Sequence, residues 1–140
     1  MTCRVALAVA LLFLSLSAIA QNDTKSKADS TTGGDKAKFA LEYAEQATKA
    51  ADTAFKQGKD DEATARLKDI AQYAKISSDA AMESGKREKE TEINLRKIVN
   101  RLVDIKNARP YDQQDSVQQV IDAVDTSRNN LLEEMFKRKH

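Results

Sequence analysis

The stretch LRKIVNRLVDIKNARPYDQQDSVQQVIDAV, residues 95–124, decides the fold class. In its first half the large apolar residues recur at spacings of three and four, and the same spacing returns after Arg109, Pro110 and Tyr111. This period is typical of amphipathic helices that bury one face. Because proline cannot continue a helix, the stretch predicts two helices joined by a sharp corner.

The same periodicity extends from Gly34 to the end of the chain. Gly58, Gly85 and Pro110 divide this part into four segments, which we expect to be helices over 35–57, 60–84, 86–108 and 112–137. No alternating period-two run competes, so the sequence predicts an all-α protein, an antiparallel four-helix bundle of two hairpins. The predicted buried stripes are Ala40, Tyr43, Ala44, Ala47, Ala51, Ala54 and Phe55; Ala63, Leu67, Ile70, Ala74, Ser78 and Ala81; Leu95, Ile98, Val99, Leu102 and Ile105; and Val117, Val120, Ile121, Val124, Leu131 and Met135.

The corners carry residues that end and start helices. Gly85 is expected to close the second helix in the left-handed conformation; the alternative is one helix that runs straight through it. The acids at 60–62 begin the second helix, where we expect a side-chain cap and a favourable interaction with the helix dipole. Asp112 is the expected N-cap of the fourth helix.

The corner segment AFKQGKDDEATARL, residues 54–67, resembles the middle of a tetratricopeptide-type helical hairpin. In that family a glycine ends the first helix and an alanine packs early in the second, the places held by Gly58 and Ala63. The large residues of the family's first helix are replaced by alanines, and no second copy follows at the period of about 34 residues. Because solenoids need stacked repeats, we interpret this stretch as a tight corner between helices and assign no family.

The two predicted helices of the second hairpin differ in charge. Residues 86–109 contain eight Lys or Arg and four acids, whereas residues 112–136 contain one Arg and six acids. We expect these helices to pair, the alternative being that the basic helix is a surface for an anionic partner. Arg128 interrupts the fourth stripe. It either reaches an acid such as Glu92, fixing the register, or extends to water, and we expect the second.

The first twenty residues read as a signal peptide. One cation, Arg4, precedes an apolar run over 5–16, and the segment ends in Ala18, Ile19 and Ala20. We predict cleavage after Ala20; the alternative of a retained membrane anchor requires a longer run, of roughly 20 residues. Residues 21–34 have no large apolar residue and are expected to be a flexible polar tether, which leaves 35–140 as the helical bundle domain. The predicted location is periplasmic or secreted.

Residues for catalysis and cofactor binding are scarce. Cys3 lies within the predicted signal peptide and His140 is the single histidine, so we expect no thiol chemistry, haem, zinc or di-metal site. The acids at 60–62 are consecutive, unlike the alternating ligands of calcium loops. With 23 Lys or Arg against 22 acids the chain has no basic excess for nucleic acid. We therefore predict no catalytic residue, no cofactor and no metal, and a protein that is not an enzyme.

These observations predict an exported protein-interaction or structural module. A candidate interaction surface is formed by Leu132, Met135 and Phe136; the alternative is a last turn packed on the bundle, with cations at its end. The expected partner is another protein or a second copy, with no stable membrane insertion after cleavage. A chaperone-like protein that binds apolar segments is the second hypothesis. A carboxylate-based hydrolase is the third, and it is disfavoured because the acids fall on polar faces.

Overall fold

The computed structural model describes residues 20–139, and this part of the chain is all-α, with no strand among those residues. Helix α1 covers 20–30. It is followed by α2 (Gly33–Lys56), α3 (Asp60–Ser84), α4 (Glu88–Asn107) and α5 (Tyr111–Arg138). The predicted all-α class is confirmed. The predicted signal peptide, apart from Ala20, and His140 lie outside the described residues.

Glycines form the corners at both ends of α3. Gly58 has a φ of 71° between α2 and α3, and Gly85 has a φ of 65° where α3 ends. Glycine adopts this left-handed conformation without the steric cost that a Cβ brings. The Gly85 N–H donates to the carbonyl of Ala81 at 2.9 Å. The alternative of one helix running through Gly85 is therefore wrong.

The expected side-chain caps are also wrong. Lys59 and Pro110 occupy the positions before α3 and α5, and neither makes a side-chain hydrogen bond to the free amides. The acids at 60–62 and Asp112 lie within the first turns instead. There their negative charge interacts favourably with the positive end of the helix dipole.

The four longer helices pack as a bundle of two antiparallel hairpins, α2 with α3 and α4 with α5, which confirms that the helices of opposite charge are neighbours. Between the hairpins, α3 lies beside α5 and α2 beside α4, and these neighbours run in the same direction. The buried Ser78 hydroxyl donates to the Ser127 carbonyl at 2.7 Å, so late positions of α3 and α5 meet. The predicted antiparallel order thus holds within each hairpin and not between them.

The core follows the predicted stripes. Every stripe residue named above is buried except Val99 and Met135, which are partly buried and pack against the core. The first hairpin buries more than its stripes, because Leu41, Tyr73 and Ser77 are also enclosed. Its two helices are therefore covered on a second face.

Helix α1 supplies that cover, which differs from the flexible tether expected over 21–34. Ala28 is fully buried in the main core, and Thr24, one turn away, is 9% exposed. The polar composition concealed this helix because it packs through small side chains. Small residues suffice here since the surface that receives them is itself rich in alanine, which allows helix axes to approach closely.

Candidate functional site

Helix α1 lies along the α2–α3 hairpin. Gln46 donates from Nε2 to the Thr24 hydroxyl at 3.2 Å, and the Lys27 ammonium lies 5.7 Å from the ring centroid of Phe39. Earlier residues of α1 thus meet later residues of α2, so the two helices are antiparallel. Ala28 fills the bottom of the contact.

Two tyrosines fix α1, α2 and α3 to one another. The rings of Tyr43 and Tyr73 meet edge to face, with centroids 4.6 Å apart. The Tyr73 hydroxyl donates to Asp29 of α1 at 2.7 Å, and the Tyr43 hydroxyl donates to Asp69 of α3 at the same distance. Both hydroxyls bond carboxylates, which strengthens each hydrogen bond.

These contacts shift the titration of the groups involved. Burial, with the hydrogen bond to Asp69, raises the pKa of Tyr43 to about 12, and burial likewise raises the pKa of Tyr73. Burial by itself would raise the pKa of Asp29, but hydrogen bonds from Tyr73 and Lys25 outweigh it, so that pKa is lowered. The cluster is thus held with neutral tyrosines and a charged Asp29 at neutral pH.

Beyond the contact between Thr24 and Gln46, the surface of α2 and α3 against which α1 packs continues as a groove. Within the described residues this groove has a volume of about 440 Å³ and is open to solvent. Ala50, Thr53 and Ala54 of α2 line it, and its end lies at the α2–α3 corner. Residues 20–139 therefore leave uncovered a continuation of the surface that already binds α1.

Cations predominate around the groove. Lys49, Lys59 and Arg66 belong to its lining, against one acid, Glu62. Arg66 is partly neutralised by Asp69, at 3.4 Å. The lining combines small side chains with a positive edge, which suits a helix that carries small residues on its buried face and acids beside them.

One polar atom near the groove lacks a partner. Gln46 Oε1 is buried and accepts no hydrogen bond, although Nε2 of the same side chain donates to Thr24. A buried acceptor without a donor costs free energy, of the order of 1–3 kcal/mol.

No family model, no curated protein and no solved structure matches the chain. The function is therefore inferred from this chain's own residues.

Acidic and metal-ligating residues do not assemble elsewhere in the described part. Residues 20–139 contain no cluster of three His, Cys, Asp or Glu side chains placed to hold a metal ion. The acids at 60–62 are exposed in the first turn of α3. None of the helices described is both long and apolar enough to span a membrane.

Two acids contradict the expectation that all acids fall on polar faces. Glu92 on α4 is 8% exposed, and Glu45 on α2 is half-buried. Burial raises the pKa of Glu45, although Lys49 and Lys97 act in the opposite direction. The two residues lie on different helices, and each has charged neighbours: Lys49 and Lys97 for Glu45, Arg96 and Arg128 for Glu92.

Arg128 forms the ion pair that the sequence analysis disfavoured. Its Nε donates to Glu92 Oε1 at 2.9 Å, and Asp125 lies 3.6 Å from its Nη1. The expectation that Arg128 extends to water is wrong, because Glu92 lies buried on the facing turn of α4. A three-four spacing identifies which residues face inward, but it does not measure how far a buried carboxylate lies from an arginine on another helix.

The ion pairs between α4 and α5 run opposite to the net charges of these helices. In the described residues they are Arg128 to Glu92 and Arg138 to Glu88, so the arginines of the acidic helix bind acids of the basic one. Arg138 also donates to the carbonyl of Met82 at the end of α3. The excess cations of α4 are thus not consumed by α5.

The predicted surface of Leu132, Met135 and Phe136 is divided by the fold. Met135 packs on a small buried cluster of Ala37, Ala80, Ala81 and Leu131, and Leu132 is half-buried. Phe136 is 60% exposed. The role of these residues as an interaction surface stays a prediction.

The sequence analysis missed the groove because it missed α1, although the sequence contains a signal for this helix. Small residues at positions 20, 24 and 28 are each four apart and share one face of a helix. In a segment without large apolar residues, this spacing indicates a helix that packs against another surface of small side chains.

Proposed function

We propose that this protein is an exported, non-enzymatic interaction module that works in the periplasm or outside the cell. Its partner is a protein that places an amphipathic helix in the groove beyond α1. The main support for the proposal is that the groove continues the surface of α2 and α3 that already binds α1 through small side chains.

The chemistry of the partner helix follows from the lining. Ala50, Thr53 and Ala54 leave room for alanine, serine or glycine on the helix face that enters. Lys49 and Lys59 lie beside them and favour Asp or Glu at the flanks. Such complementarity speeds association and selects the partner more than it adds affinity.

The export part of the proposal is supported by the N-terminal sequence. A cation, a short apolar run and the small residues Ala18 and Ala20 make up the pattern that signal peptidase cleaves. The intact mass of the exported protein tests this directly. A mass that still includes Met1 would contradict it.

A chaperone-like role is the second candidate, because an alanine-lined groove could also receive apolar segments of unfolded proteins. The large hydrophobic residues exposed in the described part, Val103, Tyr111 and Phe136, lie on different parts of α4 and α5. Chaperones that hold unfolded chains need a broader apolar surface. We therefore favour a defined helical partner.

Site-specific photo-cross-linking in the native compartment tests the groove. A photo-reactive amino acid replaces Thr53, which lines the groove, and in a matched control it replaces Thr64, which is exposed on α3 outside it. We expect adducts from position 53 alone, mapping to a helical segment with acidic flanks. Ala50→Glu should abolish the adduct, and Ala65→Glu, an exposed control on α3, should not.

Three outcomes would contradict the proposal. Equal cross-linking at both positions would show nonspecific contact, and adducts to many unrelated unfolded chains would favour the chaperone-like role. An adduct to a second copy of this chain would make the groove a self-association surface. Light scattering on the purified protein would then show a dimer.

A further inference from the structure

Gln21 is the first residue after the predicted cleavage site, and it lines the open groove together with Ala20. It is helical and half-buried in the described structure. We propose that the mature chain begins with pyroglutamate, which forms when the freed amine of Gln21 closes on its own side chain. This inference rests on the proposed export and on cleavage after Ala20.

The reaction needs no group from outside the residue. Before cleavage the Gln21 nitrogen belongs to a peptide bond, and its lone pair is delocalised, so it is not a nucleophile. Cleavage converts it to an amine, which attacks Cδ of the side-chain carboxamide. A new N–Cδ bond forms, the Cδ–Nε2 bond breaks, and Nε2 takes up a proton and leaves as ammonia. The product is a five-membered lactam at an unchanged oxidation state.

The charges around Gln21 favour this reaction. A free terminal ammonium would stand at the positive end of the α1 dipole, in a groove whose charged lining is Lys49, Lys59, the acid Glu62 and Arg66, which Asp69 partly neutralises. Like charges disfavour protonation of the amine, so more of it is present as the nucleophile at neutral pH. The lactam then removes the positive charge from the helix terminus altogether.

The groove also suits the product. It is open to solvent, so ammonia can leave. The lactam keeps one N–H, and Gln46, which lines the same groove, has a buried Oε1 without a donor. Cyclisation would thus exchange a charged terminus for a neutral group that can still donate a hydrogen bond.

Mass spectrometry of the exported protein tests the proposal. The full chain is exported with its own N-terminal segment in a bacterial host, and the N-terminal peptide is sequenced. We expect a peptide that begins at position 21, lighter by one ammonia than the unmodified peptide and released for amine sequencing only by pyroglutamyl aminopeptidase. A peptide that begins at position 21 with unmodified mass and a free amine would overturn the proposal.

Gln21→Asn is the matched control. Its side chain is one methylene shorter and would have to close a strained four-membered ring, so we expect the same cleavage without loss of ammonia. A chain that retains Met1, or that begins elsewhere, would contradict the proposed export separately from the cyclisation. In that case a fusion protein cut by a protease to leave Gln21 first tests the chemistry by itself. Persistence of its free amine after prolonged incubation at neutral pH would overturn the proposal.

Discussion

The two hairpins of this protein differ in the side chains that they bury and in the number of faces that are covered. The α4–α5 hairpin buries Leu, Ile and Val along one stripe of each helix, as Leu102 and Val124 illustrate. The α2–α3 hairpin buries many alanines, and it does so against the second hairpin on one side and against α1 on the other. The second hairpin is covered on one face and buries mainly large residues, whereas the first is covered on two faces and buries many alanines beside large residues such as Tyr73 and Ile70.

Because of this difference, we expect one hairpin to contribute more to stability and the other to offer the surface for binding a helix. At roughly 25 cal/mol per Å² of apolar surface, the larger side chains of α4 and α5 contribute more stability per residue. The small side chains of α2 and α3 allow another helix to approach closely, which α1 does along part of the surface. Among the described residues, the groove over Ala50 and Ala54 is the part that residues 20–30 of α1 leave open.

The largest expected change in stability comes from the α4–α5 hairpin, which is covered on one face. Leu102→Ala removes a fully buried side chain from α4 and should lower the free energy of unfolding by about 2–5 kcal/mol, because a cavity remains. Urea denaturation followed by circular dichroism measures this. Val103→Ala, at a neighbouring residue that is 37% exposed, should change it by no more than about 0.5 kcal/mol. Equal losses for the two variants would contradict the assigned core.

In the α2–α3 hairpin, which is covered on two faces, we expect larger side chains at buried alanines to lower the stability. Ala44 on α2 is fully buried, so Ala44→Leu overpacks the contact and should cost about 1–3 kcal/mol in the same measurement. Ala50→Leu adds the same atoms to the open groove, where we expect a change within about 0.5 kcal/mol. If Ala50→Leu were as damaging as Ala44→Leu, the groove would not be open in solution.

Breaking the ion pair between Arg128 and Glu92 should lower the free energy of unfolding by a similar or smaller amount. Arg128→Met leaves the buried Glu92 with Arg96 alone, at 3.7 Å, and should cost roughly 1–3 kcal/mol. Arg96→Met, at an exposed residue, should cost at most about 1 kcal/mol. Adding Glu92→Met to Arg128→Met should recover stability, since a buried apolar pair can replace a buried ion pair. Equal effects of Arg128→Met and Arg96→Met would show that the pair has no structural role.

The smallest effect concerns the tyrosines of the first hairpin and depends on pH. Tyr43→Phe removes the hydrogen bond to Asp69 and should cost about 1 kcal/mol at neutral pH. The pKa of Tyr43 is about 12 in the fold, against about 10 in an unfolded chain. The unfolded state therefore loses its proton first, so this contribution is complete below about pH 10 and is lost as the pH rises towards 12.

Unfolding midpoints across this alkaline range check the sign. The stability difference between wild type and Tyr43→Phe should narrow as the pH rises above about 10. Tyr73 and Lys25 titrate in both proteins, so their contributions cancel in the comparison. A difference that widens with rising pH would contradict the assigned hydrogen bond.

The sequence predicted the helices whose signals are local and large. Pro110 and Gly85 interrupt the chain, and residues such as Leu102 and Val124 recur at helical spacing, so these breakers and the periodicity together placed α2 to α5. The same reasoning missed α1, because a helix that packs through Thr24 and Ala28 has no apolar stripe to detect.

Contacts between distant residues were beyond the sequence for a different reason. Tyr73 and Asp29 are 44 residues apart, and no local pattern connects a hydroxyl on α3 to a carboxylate in a polar segment. Arg128 and Glu92 were identified as a pair that could form, but periodicity could not decide whether they meet. The groove depends on where α1 lies, so it could not be predicted once α1 was taken for a tether.

Amide hydrogen exchange over residues 21–30, measured by mass spectrometry on the mature chain, decides most directly whether α1 is docked. We expect these amides to exchange much more slowly than an unstructured segment of the same sequence, yet faster than those around Leu102, because α1 buries little apolar area. Tyr73→Phe, which removes the hydroxyl bonded to Asp29, should speed exchange in α1 and leave α4 unchanged. Exchange of residues 21–30 at the unstructured rate would show that α1 does not pack against α2 and α3.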